Sequence, residues 1–455
     1  MRFRTRCSHW LSFALALLLC AMPALALAQA EGEVLAEGFN GPMGVLLDPD
    51  GNVWVIDSGT GGETTIEAVD PNTGQQATAQ IGDTARIVKV APDGTQTDIV
   101  TLPSVLIGQE ATGGARLALL DGVLYATTGA WLQSAMAEPL PTMAVVIKVA
   151  DGAVEEVAQS WVLEAARNLD GFVVESHPFG LAAAPAGRLY IVDAGANALL
   201  SLNPATGRLG VVTVFPGLPS PLANPNRGGA METDPVPTGV TLDADGNVYV
   251  ALLPGFPFVP GSAKVMKISA DGATVSDYAT GLTSLIDLRT GPDGQLYAVQ
   301  FATFGEGGPA PESGAIIRVQ EGTASEVVLS GLSFPTSLDM NADGDAYVTV
   351  NGVGAPGSGA VVRYAAVTTL AGMTMTDTLA MTDSAAMTET TMSEAMTDTM
   401  ALAGGDAMTE TAPAEDAPPD MLPVTGAAST GVGFPLLLVM LVSALLVSGA
   451  WLKKK

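Results

Sequence analysis

The chain has 455 residues, a formal net charge of −28, two cysteines and two histidines. So large an acidic excess excludes a nucleic-acid-binding surface, because no basic stripe is present to displace the counterions of a phosphate backbone. Both cysteines, Cys7 and Cys20, fall within the first 30 residues, so the rest of the chain has no thiol for a disulfide or a thiolate metal site.

Residues 1–30 read as a secretory signal peptide of the Sec type. Arg2, Arg4 and Arg6 form a basic head, an apolar run extends from Trp10 to Leu27, and Ala26-x-Ala28 or Ala28-x-Ala30 follows at signal-peptidase spacing. His9 leaves with that segment. His177 is then the sole histidine, which excludes a three-histidine zinc site within one chain.

Residues 31–367 carry one phrase six times: GNVWVID, GVLYATT, GRLYIVD, GNVYVAL, GQLYAVQ and GDAYVTV. Each has a small turn, a glycine and an alternating strand centred on Trp54, Tyr125, Tyr190, Tyr249, Tyr297 or Tyr347. A second phrase follows, such as RIVKVAPDGTQTDIV or VMKISADGATVSDYA, which reads as two strands joined by a tight turn. The spacing settles near about 50 residues per repeat, room for four strands, which is one propeller blade. The expected fold class is all-β, a six-bladed propeller. Its sixth repeat, ending at VVRYAAV, lacks a last strand, and GEVLAEGF from Gly32 supplies a spare one. These two are expected to complete each other and close the ring.

Ligands of propellers gather where loops meet the central axis. Polar residues near the starts of inner strands or at strand exits are Asp57, Glu175, His177, Asp193, Asn197, Asp287 and Glu306. Asp57, Asp193, Asn197, Asp287 and Glu306 are candidate ligands for Ca²⁺, which prefers carboxylate and carbonyl oxygens. The alternative for Asp57 and Asp193 is structural, capping strand ends. His177 and Glu175 are candidate catalytic groups, with a structural loop histidine as the alternative. The turns DPDGN, DADGN and NADGD are not calcium loops. Counted from Asp48, Asp243 and Asn341, the position needing glutamate holds Gly59, Pro254 and Gly352. In GFPFVPG, Phe256 and Phe258 are expected either to form a lip for an apolar ligand or to cover one end of the propeller.

The phrases HPFG, DAGAN, PTGV, GFPFVPG and SLIDL resemble the ScyD/ScyE family. The resemblance covers residues 32–367 and is densest from 170 to 300. It implies a secreted six-bladed propeller of the NHL type and brings no established activity with it. The sequence departs from the family pattern at Leu253, where a polar or acidic residue is usual, and at His177, where asparagine is commoner.

Residues 368–421 repeat Met-Thr-acid, as at Met375-Thr376-Asp377 and Met387-Thr388-Glu389, and contain no Lys or Arg. Such a segment buries too little apolar surface to offset its ordering entropy, so it reads as a disordered, self-repelling stalk. Residues 422–455 then carry Leu422-Pro423-Val424-Thr425-Gly426, an uncharged apolar span over 434–452, and Lys453 to Lys455. This order resembles the cell-wall sorting signal of sortase substrates, which implies cleavage between Thr425 and Gly426 and transfer to a cell-envelope acceptor. A plain transmembrane anchor is the alternative, the span being close to the roughly 20 residues needed. Both readings put residues 31–421 outside the membrane.

Two functions follow as expectations. The first is a surface-anchored binding module for an extracellular protein or small molecule, favoured by the scarcity of histidine and cysteine. The second is a Ca²⁺-dependent hydrolase of the lactonase kind, favoured by carboxylates at strand exits.

Overall fold

The computed structural model describes residues 32–69, 76–108, 110–133, 142–305 and 307–370. The expected signal peptide, most of the expected stalk, the LPVTG motif, the apolar span and Glu306 lie outside the described residues. Among the described residues no helix is long and apolar enough to cross a membrane.

The fold is all-β and propeller-like. Five sheets begin with a first strand, Pro42–Leu47, Gly114–Leu120, Pro178–Ala184, Pro237–Leu242 or Leu285–Thr290, and continue outward in chain order. The sixth begins with Ser337–Met340, continues through Ala346–Val350 and Gly359–Tyr364, and takes Glu33–Phe39 as its outermost strand. Each first strand touches the first strand of the next sheet, and Ser337–Met340 touches Pro42–Leu47. Every aromatic of the repeated phrase lies on the second strand of its sheet, as Trp54 does in Val53–Asp57 and Tyr249 in Val248–Leu252.

Separate apolar clusters fill the spaces between neighbouring sheets. Ile56, Ile87, Leu117 and Ile147 join the first and second, and Leu181, Leu189 and Leu200 pack with Tyr125 and Val146 between the second and third. Phe39, Val45 and Val361 join the sixth to the first. Each fully buried Leu, Ile or Val contributes roughly 1.5–3 kcal/mol, so a sheet cannot stand without neighbours.

The Pro-x-Gly phrase at the start of a first strand has a steric cause. A Cβ on Gly44 would lie 2.7 Å from the carbonyl oxygen of Ala115 in the next sheet, one on Gly180 2.6 Å from that of Thr238, and one on Gly239 2.5 Å from the amide nitrogen of Leu288. Only glycine lets consecutive first strands approach this closely. A register shift sits at the same place in each, between Pro42 and Gly44, Pro178 and Gly180, and Pro237 and Gly239.

Three features elaborate the repeat. In the first sheet Gln76–Val90 and Gln96–Ile107 run long and pair with the added strands Thr64–Val69 and Glu110–Thr112. A helix, Ser160–Arg167, follows the second sheet. Between the third and fourth sheets a hairpin forms from Leu218–Asn224 and Ala230–Thr233.

Candidate functional site

The axis is occupied near the starts of the first strands by Arg116, which is 1% exposed. Its Nη1 donates to the carbonyls of Met43 and Ala115, and its Nη2 to those of Ile286 (2.7 Å) and Thr336 (2.8 Å). Nε faces Asp287 Oδ1 at 3.5 Å, and the guanidinium carbon lies 4.4 Å from the centre of the Phe179 ring. One side chain from the second sheet thereby ties the first, third, fifth and sixth. Burial pulls its pKa down to about 10, with Asp287 opposing, so it remains cationic at neutral pH. The planar fork of arginine suits this post because it serves several carbonyls at once.

The expected ligand oxygens are engaged by the protein itself. Asp287 accepts from Ser337 Oγ (2.6 Å) and from the amides of Leu338 and Leu288, besides facing Arg116. Asp57 accepts from the amide of Arg86 (2.7 Å), from Arg86 Nε and from the amide of Asn40. Burial still pushes Asp57 up to about 6, against the pull of Arg86 and these amides. Asp193 accepts from the amide of His177 (2.6 Å), the amide of Ala196 and Ser176 Oγ, which lies 2.6 Å from Ser160 Oγ. At both VxD exits the carboxylate holds the loop that leads into the first strand of its own sheet. Asn197 accepts from the amide of Val236 and donates to Asp170 Oδ2 (2.9 Å), bridging the third and fourth sheets.

Beside these residues the fold assembles a buried acidic cluster. Glu164 comes from the helix, Asp170 from the loop after it, Glu175 from the short strand Glu175–Ser176, Asp193 from a strand end and Asp234 from the loop before Pro237–Leu242. Burial pushes Glu164 up to about 7 and raises Asp170 and Asp193. Glu175 is raised well above the usual carboxylate range, first by burial and then by the charges of Asp193, Asp234, Asp170 and Glu164. A Cβ on Gly195 would lie 2.6 Å from Glu175 Cγ, so only glycine leaves room for that side chain. Arg227 is the cation of the cluster, 2.7 Å from Asp234 and 3.9 Å from Asp170, with Phe172 4.3 Å from its guanidinium.

His177 is 6% exposed, its ring edge-on to Phe179 at 5.2 Å. Burial and the charge of Arg116 drive its pKa down to about 3. The imidazole is thus neutral at physiological pH and a weak base, as a packed loop histidine would be.

The loop GFPFVPG packs its phenylalanines among other aromatic side chains. Phe258 is 7% exposed and stacks on Phe304 at 4.3 Å, with Phe256 edge-on to it at 6.3 Å. Phe301 and Phe334 continue the group, which packs with Met43, Phe179, Val236, Leu253 and Ile286 in one apolar cluster over this end of the axis. Phe258 is buried in that cluster, and Phe256 is partly buried against it. Leu253 is 1% exposed within the same cluster.

The acidic turns are structural, as their failed calcium spacing requires. Asp48 accepts from the amide and side chain of Asn52 and from Trp54 Nε1 (2.9 Å), and Asp243 accepts likewise from Asn247 and from Tyr249 Oη (3.1 Å). Among the described residues no three of His, Cys, Asp and Glu are arranged to hold a metal ion. Sequence reasoning passed over Arg116, Glu164, Asp170, Arg227 and Asp234. A lone arginine after Gly-Gly-Ala within an otherwise apolar first strand was the available signal for the first.

No protein-family model matches the chain, and neither does a curated protein sequence. Solved structures do. A protein of unknown function from Bacteroides thetaiotaomicron aligns with TM-score 0.43 and 13% identity over 74% of this chain and 72% of its own. A gluconolactonase from Xanthomonas campestris aligns with TM-score 0.40 and 11% identity over 75% and 99%. Virginiamycin B lyase from Staphylococcus aureus aligns with TM-score 0.39 and 14% identity over 69% and 79%. These likenesses are loose, and none assigns chemistry to this chain.

Proposed function

We propose that this chain is an extracellular binding module: a six-bladed NHL-type propeller of the ScyD/ScyE kind, its ring closed by Glu33–Phe39. It is carried on the acidic stalk and anchored through Leu422 to Gly426 and the span that follows. The observation that carries the binding reading is the fate of the strand-exit carboxylates. Asp57, Asp193 and Asp287 spend their oxygens on backbone amides, hydroxyls and arginines of the protein. They hold loops in place, and among the described residues no three of His, Cys, Asp and Glu are arranged for a metal ion. Anchoring is supported by the order of LPVTG, apolar span and lysines.

The test is a thermal melt of the purified full-length protein in EDTA and in Ca²⁺, run beside lactone hydrolysis. A ligand at 100 times its Kd adds about 2.7 kcal/mol of stability. The binding reading expects equal melting temperatures and no lactone turnover. A saturable, Ca²⁺-selective rise together with turnover would replace it with the lactonase-like hydrolase.

A further inference from the structure

The end of the axis where the first strands finish is open. A cavity of about 720 Å³ lies there, lined from all six first strands and rimmed by exposed turn residues such as Pro49 and Ala342. Its walls are mostly small or apolar, among them Leu46, Ala118, Ala183, Leu242 and Met340. Two charged side chains line it, and both are engaged: Asp48 accepts from Asn52 and Trp54, and Arg289 Nε donates to the carbonyl of Leu338 (3.0 Å). Apolar surface gathered in this way marks a place where something docks.

The chain leaves the propeller beside this opening. After Gly359–Tyr364 the short helix Val367–Leu370 packs on the turn whose residues Asn341 and Ala342 line the cavity. Thr368 donates its amide to the carbonyl of Gly344 (3.3 Å), and the amide of Ala366 donates to Asp345 Oδ1 (2.7 Å). A Cβ on Gly344 would collide with Thr368 Oγ1, so only glycine lets the helix sit so close. The turn at the cavity rim thereby fixes where the next segment starts. That segment reads Ala371-Gly372-Met373-Thr374-Met375-Thr376 and carries no charge; Asp377 is the first acid after it. In an extended chain Met373 and Met375 fall on one side, and Thr374 and Thr376 on the other. Five residues beyond Leu370 reach at most about 17 Å. Ala342 stands only two residues from Gly344, which Thr368 touches, so Met375 can pass the rim. Methionine, unbranched and with three rotatable bonds, suits an irregular apolar space.

We propose that the root of the stalk, Ala371 to Thr376, folds back over the rim and seats Met373 and Met375 in this axial cavity, with Thr374 and Thr376 toward water. The docked root holds the stalk at this end of the axis and closes the cavity to other ligands. Together with the proposed anchor it turns the opposite end, where the first strands begin, away from the envelope. That orientation rests on the anchoring reading; the docking does not.

The experiment is hydroxyl-radical footprinting of the full-length protein, with the oxidation of each methionine read by mass spectrometry, since exposure governs how readily a thioether is oxidised. Met373 and Met375 are expected to oxidise at least about tenfold more slowly than Met387 and Met396, a ratio worth about 1.4 kcal/mol in favour of the docked state. Ala183→Phe, which fills the cavity, should bring both to the rate of Met387. Met375→Glu lies outside the propeller strands, leaves their folding untouched and should expose Met373 in the same way. Oxidation of Met373 and Met375 as fast as Met387 in the parent protein overturns the proposal, as does protection that survives both variants. Failure of the anchoring reading would leave this footprint unchanged, so the two are separable.

Discussion

Replacing Arg116 by methionine tests the idea that one buried cation ties the sheets together. The substitution keeps most of the apolar stem and removes the fork. Three carbonyls of other sheets, those of Met43, Ile286 and Thr336, lose their donor. Each buried acceptor left unsatisfied costs about 1–3 kcal/mol. Asp287, itself 3% exposed, loses the cation at 3.5 Å, and breaking a buried ion pair from one side costs about 3–5 kcal/mol. These contributions overlap, because the same relaxation relieves several of them. The expected loss is therefore about 5 kcal/mol, a large part of the roughly 5–15 kcal/mol that stabilises a typical protein. Urea unfolding followed by tryptophan fluorescence measures it. Asp287→Asn should cost about 2 kcal/mol less in the Arg116→Met background than alone, because the amide no longer leaves a buried cation unpaired. A methionine variant within about 1 kcal/mol of the parent would refute the reasoning and mean that water or backbone movement satisfies the carbonyls.

Glu164 is pushed up to about 7 by burial, so the folded state holds a proton that the unfolded chain releases above about 4.5. Its contribution is present below that value and lost as pH rises through about 7; the urea midpoint of Glu164→Gln should fall less between pH 5 and 8 than the parent's. His177 has the opposite sign: with its folded pKa near 3, stability rises with pH between about 3 and 6.5, and His177→Asn should flatten that rise. Tyr249→Phe removes the bond to Asp243 Oδ2 and should cost about 0.5–1.5 kcal/mol by urea unfolding, with a smaller cost arguing that the turn holds without it. Thr425→Ala should leave the chain in the membrane fraction instead of the cell-wall fraction, and an unchanged distribution would count against sortase transfer.

The amino-acid sequence alone determined the repeat. Alternation of Val, Ile and Tyr every second residue is a property of one strand, and a glycine-bearing turn is a property of a few neighbours, so Trp54 to Tyr347 could be placed on six equivalent strands without knowing what they touch. The offset between a spare strand at Gly32 and a short sixth repeat was legible for the same reason, and Glu33–Phe39 pairs with Gly359–Tyr364. Only the tertiary structure decided what happens at the axis. Several sheets bring residues there, from positions as far as 220 apart in the chain, and their roles depend on which neighbours arrive with them. Asp287 was legible as an acidic residue near the axis, but that its partner is Arg116 follows from the meeting of the second and fifth sheets. Glu164, Asp170 and Asp234 look in the sequence like ordinary surface charge, and nothing there joins them to Glu175 and Asp193. Glu164 and Glu175 are pushed toward the protonated form because folding removes them from water, and desolvation is a property of the surroundings that no local pattern records.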